Sequence, residues 1–291
     1  MSDQGPATDP AGAAPGRRVV RWPAVSAVRW WVPPVGRRLA APVAVVVVVA
    51  LWQLVVVRTG ADPRFLPSPV RVAAQGWAQR EAIGEHAAAT LTVTLVGFAV
   101  STAVAWLVAV VVDLVPPLRR AVVPLLVMSQ ALPVTAIAPL TILWFGFGLL
   151  PKVLVITLVT FFPVAIGLVE GFAAAGPRAE ALLRSMGAGR WQRFRYVRLP
   201  AALPRFFTAL RIGITYAVVG AIFAEYVGAQ RGLGIYLSMQ KNAFRTDLVL
   251  AAVVVAAALS LLLFAGTHLL ERLLVPWARP ATRRQVRERV R

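Results

Sequence analysis

Cysteine is missing from the 291-residue chain, and histidine occurs only as His86 and His268. The first absence excludes disulfides, thiol nucleophiles and cysteine-ligated metal; the second leaves no histidine-rich metal site. Lysine is equally scarce, with Lys152 and Lys241 the only two. A phosphate-cradling P-loop needs Gly-Lys followed by Ser or Thr, yet Pro151 precedes Lys152 and Gln240 precedes Lys241, so the chain cannot hold ATP in that way. Acidic residues number 12, and they form neither a carboxylate cluster nor a His-Glu-x-x-His run. Charged residues are only 15% of the chain, against about 25% in soluble domains.

What fills the chain instead is apolar sequence, 58% of it, with a mean hydropathy of +0.71. The excess falls in blocks of about twenty residues, the length that crosses ~30 Å of hydrocarbon. The expected fold is therefore an all-α membrane protein with about six transmembrane helices. The expected spans are Leu39–Val57, Thr90–Val112, Ala121–Phe145, Val153–Gly171, Phe206–Val227 and Leu248–Val275. The third contains Pro124, Pro133 and Pro139, which predicts a kinked or broken helix. Residues 1–36, rich in Pro, Gly and Ala, read as a disordered tail, residues 37–278 as the membrane domain, and residues 279–291 as a basic tail. The first apolar run starts near Leu39, too late for a standard cleavable leader.

The net charge of +19 reflects topology. Twenty-three Lys and Arg residues flank the spans on one side and eight on the other. The positive-inside rule makes the richer side cytoplasmic, with both termini on that side. The excess suits lipid headgroups and gives no reason to expect nucleic acid. Asp113 and Glu170 fall at cytoplasmic span ends and are expected to pair with nearby arginines. Trp22, Trp30, Trp31 and Trp277 are expected at interfaces.

On the sparsely charged side, Ser68-Pro69 can start a helix. Val70, Ala73, Ala74, Trp77 and Ala78 then follow at helical spacing, as in a helix lying on the outer membrane surface. The richest loop, about residues 176–204, begins with Pro177 at a helix start, and Leu182, Leu183 and Met186 supply an apolar stripe. Gly187 and Gly189 can break that helix and allow another backbone close. A second short helix carries Trp191, Phe194 and Val197 until Pro200 stops it. Two such helices form a knob that fits a groove on a soluble partner.

This loop resembles that of the ABC importer permeases, whose hallmark is Glu-Ala-Ala, three residues, Gly, nine residues, then Ile-x-Leu-Pro. Gly187, Val197, Leu199 and Pro200 fit the spacing, with Val for Ile. The first half departs: Ala181 stands where the family has Glu, and Glu180 sits one place early, ~100° around the helix. The resemblance covers roughly residues 40–275. Phe65-Leu66-Pro67-Ser68-Pro69, Leu143-Trp144-Phe145-Gly146-Phe147-Gly148 and Phe161-Phe162-Pro163 look like the nitrate/sulfonate/taurine branch. Asp113 to Arg120, Gly148 to Val153, Leu183 to Ala188 and Gly232-Leu233-Gly234 are similar to permeases for the thiamine precursor hydroxymethylpyrimidine.

The resemblance implies a type I importer permease fold and a non-enzymatic subunit without a cofactor of its own. ATP and Mg would be bound by a partner ATPase, present in two copies and docked on the coupling loops of a permease homodimer. An extracytoplasmic binding protein would deliver the solute: hydroxymethylpyrimidine, or alternatively nitrate, taurine or an aliphatic sulfonate. ATPase coupling then falls to Glu180, Ala181, Gly187, Val197, Leu199 and Pro200. Candidate pathway residues are Ser129 and Gln130 on the proline-interrupted span and Glu225 near the outer end of the fifth, since polar groups inside a membrane are costly. Each has a plain structural alternative, interhelical bonding for the first two and a water-exposed interfacial acid for Glu225. An ion-coupled secondary transporter would need midplane acids, but here the acids cluster at span ends. An intramembrane enzyme would need a nucleophile and base, and no such pair occurs.

Overall fold

The computed structural model describes residues 34–130 and 133–278, which are helical apart from connecting turns. Both predicted tails fall largely outside these residues, as do Trp22, Trp30 and Trp31, although helix α1 already begins at Pro34 (α1, Pro34–Thr59). The chain divides into a unit of residues 1–48 and a unit of residues 49–291. The described part of the first is the N-terminal portion of α1, an apolar rod with Val43 and Val45 to Val48 exposed.

In the second unit the elements run α2 (Pro69–Ala78), α3 (Arg80–Leu114), α4 (Pro116–Ser129), α5 (Val134–Phe145), α6 (Leu149–Ala173), α7 (Pro177–Ser185), α8 (Arg190–Arg193), α9 (Leu199–Gly228), α10 (Leu233–Asn242) and α11 (Thr246–Leu274). Among the described residues, five helical stretches are long and apolar enough to cross a membrane: Pro42–Thr59, α3, α6, the continuous run Arg190–Gly228, and α11. The expected third span is broken, as its prolines predict, into two short helices, α4 and α5, parted at Pro133, whose missing N–H and fixed φ favour an N-terminal position.

The bundle centre is built from α3, α6 and α9. Their buried faces pool Ile156, Val164, Ala165, Leu168, Ala217 and Ala221 in one core. Between membrane helices packing replaces the hydrophobic effect as the driving force, so small residues set the spacing. A side chain at Gly97 would lie 2.8 Å from Ile156, and one at Gly171 would lie 2.9 Å from the Ala202 backbone. Thr160 donates to Ser101 at 2.6 Å, joining α6 to α3 inside this core. The outward faces carry exposed residues such as Leu107, Leu261 and Leu273, as a lipid-facing surface requires.

Helix α2 starts as the Ser68-Pro69 pair predicts: the Ser68 hydroxyl accepts from Arg71 N at 3.3 Å. It packs on α11 through Val72 and Gly76, the latter 3.1 Å from Ala251 once given a Cβ. The predicted stripe of Val70, Ala73, Ala74 and Trp77 is left exposed, as in a helix lying on a membrane surface.

Candidate functional site: the coupling knob, a mid-depth hollow and a buried carboxylate

The knob begins with Gly176 and Pro177 at the N-terminus of α7. Its end is a Schellman motif: Ala188 N donates to Leu183 O at 2.9 Å and Gly187 N to Arg184 O at 3.0 Å. That closure needs a left-handed residue, and Gly187 has φ +81°. A Cβ there would meet nothing within 4 Å, so within this chain Gly187 serves backbone conformation. At Gly189 the N–H donates to Gln192 Oε1 at 2.8 Å and starts α8.

Pro200 does not stop the second helix, contrary to expectation. Residues Phe194–Arg198 widen into a π-turn, with Leu199 N reaching Phe194 O, and α9 continues through the proline. A π-turn loosens the ladder where proline removes a donor and crowds the preceding turn. The knob is thereby welded to the longest continuous helix of the bundle.

A row of aromatic rings reinforces the weld. Trp191 stacks on Phe194 at 5.7 Å, Phe194 lies 5.3 Å from Phe172, and Trp106 lies 6.0 Å from Phe172 and 5.3 Å from Phe206. The outer surface of the knob carries uncovered apolar groups among exposed arginines, with Met186 72% and Trp191 68% exposed beside Leu182 and Tyr196. Exposed large apolar groups clustered on a charged loop mark a contact surface.

Glu180 faces inward, away from that surface. Arg198 Nε donates to its Oε1 and Nη2 to its Oε2 at 3.2 Å, while Arg198 Nη1 donates to Asp113 at 2.7 Å. One guanidinium thus ties α7 to the end of α3. The Arg198 hydrogen bond holds the Glu180 carboxyl below the usual carboxylate range, outweighing partial burial, which pushes it up. Asp113 pairs as expected. Glu170 does not: Arg205 donates to its backbone oxygen at 2.6 Å, and its carboxylate has no ion-pair partner among the described residues.

At the opposite end of the bundle Glu225 is fully buried, not water-exposed. It belongs to a cap on the N-terminus of α10. Three successive amides there are each taken by a side chain: Gly232 N by His86 Nδ1 at 3.0 Å, Leu233 N by Thr90 Oγ1 at 2.8 Å, and Gly234 N by Glu225 Oε2 at 3.0 Å. Thr90 also donates to Glu225 Oε2 at 2.8 Å. A carboxylate at a helix N-terminus meets the positive end of the helix dipole. Its Oε1 has no hydrogen-bond partner among the described residues.

Gln130 stands apart from Glu225. It lines a hollow of about 360 Å³ with Phe162, Pro163, Tyr216, Val219 and Phe223. Ser129 ends α4, and its side chain lies outside the described residues. Of the predicted coupling residues, the structure brings Glu180 against Arg198 and places Val197, Leu199 and Pro200 in or just after the π-turn; Ala181 lies on α7. Sequence reading missed Arg198, Thr90 and His86. The period of α3 and the glycines after Glu225 hint at the last two; nothing local singles out Arg198 among its neighbouring arginines.

The comparisons agree with this architecture. A riboflavin transport system permease of Chloroflexus aurantiacus is 37% identical over 82% of this chain and 90% of its own length. A formylaminopyrimidine transport permease of Halalkalibacterium halodurans is 35% identical over 78% and 91%, and a taurine transport permease of Escherichia coli 31% identical over 86% and 92%. An inward-facing methionine ABC transporter shares the fold with a TM-score of 0.55 at 22% identity, covering 66% of this chain and 94% of its own. Residues 101–280 match the family described as binding-protein-dependent transport system inner membrane component. The chain belongs to that family, as a membrane-spanning permease subunit of an ABC importer.

Proposed function

We propose that two copies of this permease enclose a solute path, that an ATPase subunit docks on each knob, and that a separate binding protein delivers the cargo from the far side. The carrying observation is the knob: its apolar groups face outward, while its single carboxylate is spent on Arg198 inside. Such a surface seats in a groove and passes rigid-body motion through the π-turn into α9. ATP and Mg belong to the docked subunit, since no lysine here stands in a P-loop. The knob end is cytoplasmic by the arginine count, and on the same count both termini lie on the cytoplasmic side of a bacterial plasma membrane. An exposed face of α9, with Ile212, Tyr216, Val219 and Phe223, suits the lining of a path that two copies enclose.

The cargo we favour is a thiamine precursor of the hydroxymethylpyrimidine type; nitrate, taurine and aliphatic sulfonates are the alternatives. Relatives named for riboflavin and for formylaminopyrimidine support a ring-bearing solute. Calorimetry on the binding protein encoded with this chain, using hydroxymethylpyrimidine, taurine, an alkanesulfonate and nitrate, tests the cargo. Uptake by the reconstituted complex tests the class: a rate set by a proton gradient without ATP hydrolysis would sink the importer reading.

A further inference from the structure

The hollow beside Gln130 lies about halfway along the membrane-spanning helices. Tyr216 is 17 residues into α9 and 12 from its end, which places it roughly 25 Å from one end and roughly 18 Å from the other. Phe162 and Pro163 sit near the middle of α6. The walls are aromatic or aliphatic, with Tyr216 51% and Phe223 41% exposed, and no lining side chain is charged. Two polar groups interrupt them, the Gln130 amide and the Tyr216 hydroxyl, and neither has a hydrogen-bond partner among the described residues. Lipid cannot satisfy an amide or a phenol at that depth. A face that is apolar yet carries two free polar groups therefore looks onto something other than hydrocarbon.

We infer that Phe162, Tyr216 and Phe223, with Gln130, form a transient subsite for a neutral, planar nitrogen heterocycle on its way through the permease. This deepens the importer reading and rests on it. Aromatic side chains hold a flat ring by stacked or edge-on contact, and the amide and phenol offer both donors and acceptors to ring nitrogens and substituents. The same lining disfavours sulfonate, taurine or nitrate. Moving an anion into an apolar hollow requires a paired charge, and none faces it. Few polar groups and no cation also suit release, because a conducted solute must leave as readily as it enters.

The test uses the whole importer, this chain with its ATPase and binding protein, in proteoliposomes. Y216A and F223A should each lower uptake of labelled hydroxymethylpyrimidine or riboflavin at least tenfold and raise KM, with assembly and solute-free ATP hydrolysis unchanged. Y216F should keep most of the rate, and Q130A should fall between. Independently of uptake, the F223W importer should show tryptophan quenching by one of the ring compounds and none by taurine. Wild-type rates in the alanine variants, or no quenching by either ring compound, overturns the subsite. ATP-driven uptake of taurine alone overturns it too, yet leaves the permease reading standing; absence of any ATP-dependent uptake counts against that reading, and the quenching result still decides the subsite. Loss of the paired complex in Y216A and F223A would show the hollow to be a subunit seam, which also overturns the proposal.

Discussion

Arg198 donates to Asp113 at 2.7 Å, across 85 residues of sequence, while the other edge of the same guanidinium holds Glu180. Asp113 ends the first core helix, and Glu180 belongs to the knob on which an ATPase is proposed to dock. Both side chains are less than a fifth exposed. The residue at the junction is arginine for a geometric reason: a planar fork can serve two carboxylates at once, and an ammonium cannot do so with fixed angles.

Replacing Arg198 by Ala is expected to leave two carboxylates facing each other and to cost about 1–3 kcal/mol of stability at that end of the bundle. Lysine should recover only part of it. The double variant with Asp113→Asn should be less impaired than Arg198→Ala alone, because the repulsion is gone. Spin-label distances between α7 and the end of α3, with uptake per ATP hydrolysed, provide the readout: a knob that stays put and stays coupled in Arg198→Ala contradicts the role.

The same pair sets a pH expectation. Glu180 has its carboxyl pKa lowered, chiefly by the Arg198 hydrogen bond. A depressed carboxylate contributes stability that is fully present above its unfolded value and is lost as pH falls through the folded value. Knob order should therefore be flat from mildly alkaline to mildly acidic pH and decline only below the ordinary carboxylate range, near 4.5. Hydrogen exchange of α7 amides, corrected for intrinsic rate, measures this. Glu180→Gln should remove the acid-side step.

Gly187 yields a prediction that separates conformation from space. Its φ of +81° closes the Schellman motif, while a Cβ would touch nothing in this chain. Gly187→Ala should thus cost about 1 kcal/mol locally through the left-handed backbone, and Gly187→Asn less, since Asn tolerates that region. Gly187→Glu should be folded and inserted, yet should fail to co-purify with the ATPase. A full complement of ATPase on the Glu variant would refute the docking assignment.

Periodicity and composition made the membrane class, most spans and the α2 cap legible, because each rests on local chemistry: apolar length, the Ser68-Pro69 start, proline at the break between α4 and α5. What stayed hidden depends on distant partners. Pro200 reads as a stop from sequence, but the π-turn before it lets the helix run on. Glu225 reads as a span-end acid, but α10 folds back over it and Thr90 and His86, from more than 130 residues upstream, complete the cap. Arg198 is one arginine among several in its loop until the end of α3 arrives beside it.

That cap provides the last test. A Cβ on Gly234 would meet the Ile222 carbonyl and lie 2.7 Å from the Glu225 Cβ and 2.8 Å from Tyr226 N. Two of these three atoms are backbone and cannot swing aside. Gly234→Ala must therefore push α10 away from α9, and Glu225 Oε2 then loses the amide that shares it with Thr90. The expected cost is about 1–3 kcal/mol, as for other overpacked sites. Glu225→Gln keeps the shape and an acceptor oxygen for Gly234 and Thr90, so it should cost less. The chain has no cysteine of its own, which makes a single cysteine at Asn242 a clean reporter. Thiol labelling there should quicken in Gly234→Ala and stay near the parent rate in Glu225→Gln. Equal rates in both would mean that α10 is held by its apolar side, Leu233 and Tyr236, rather than by the cap.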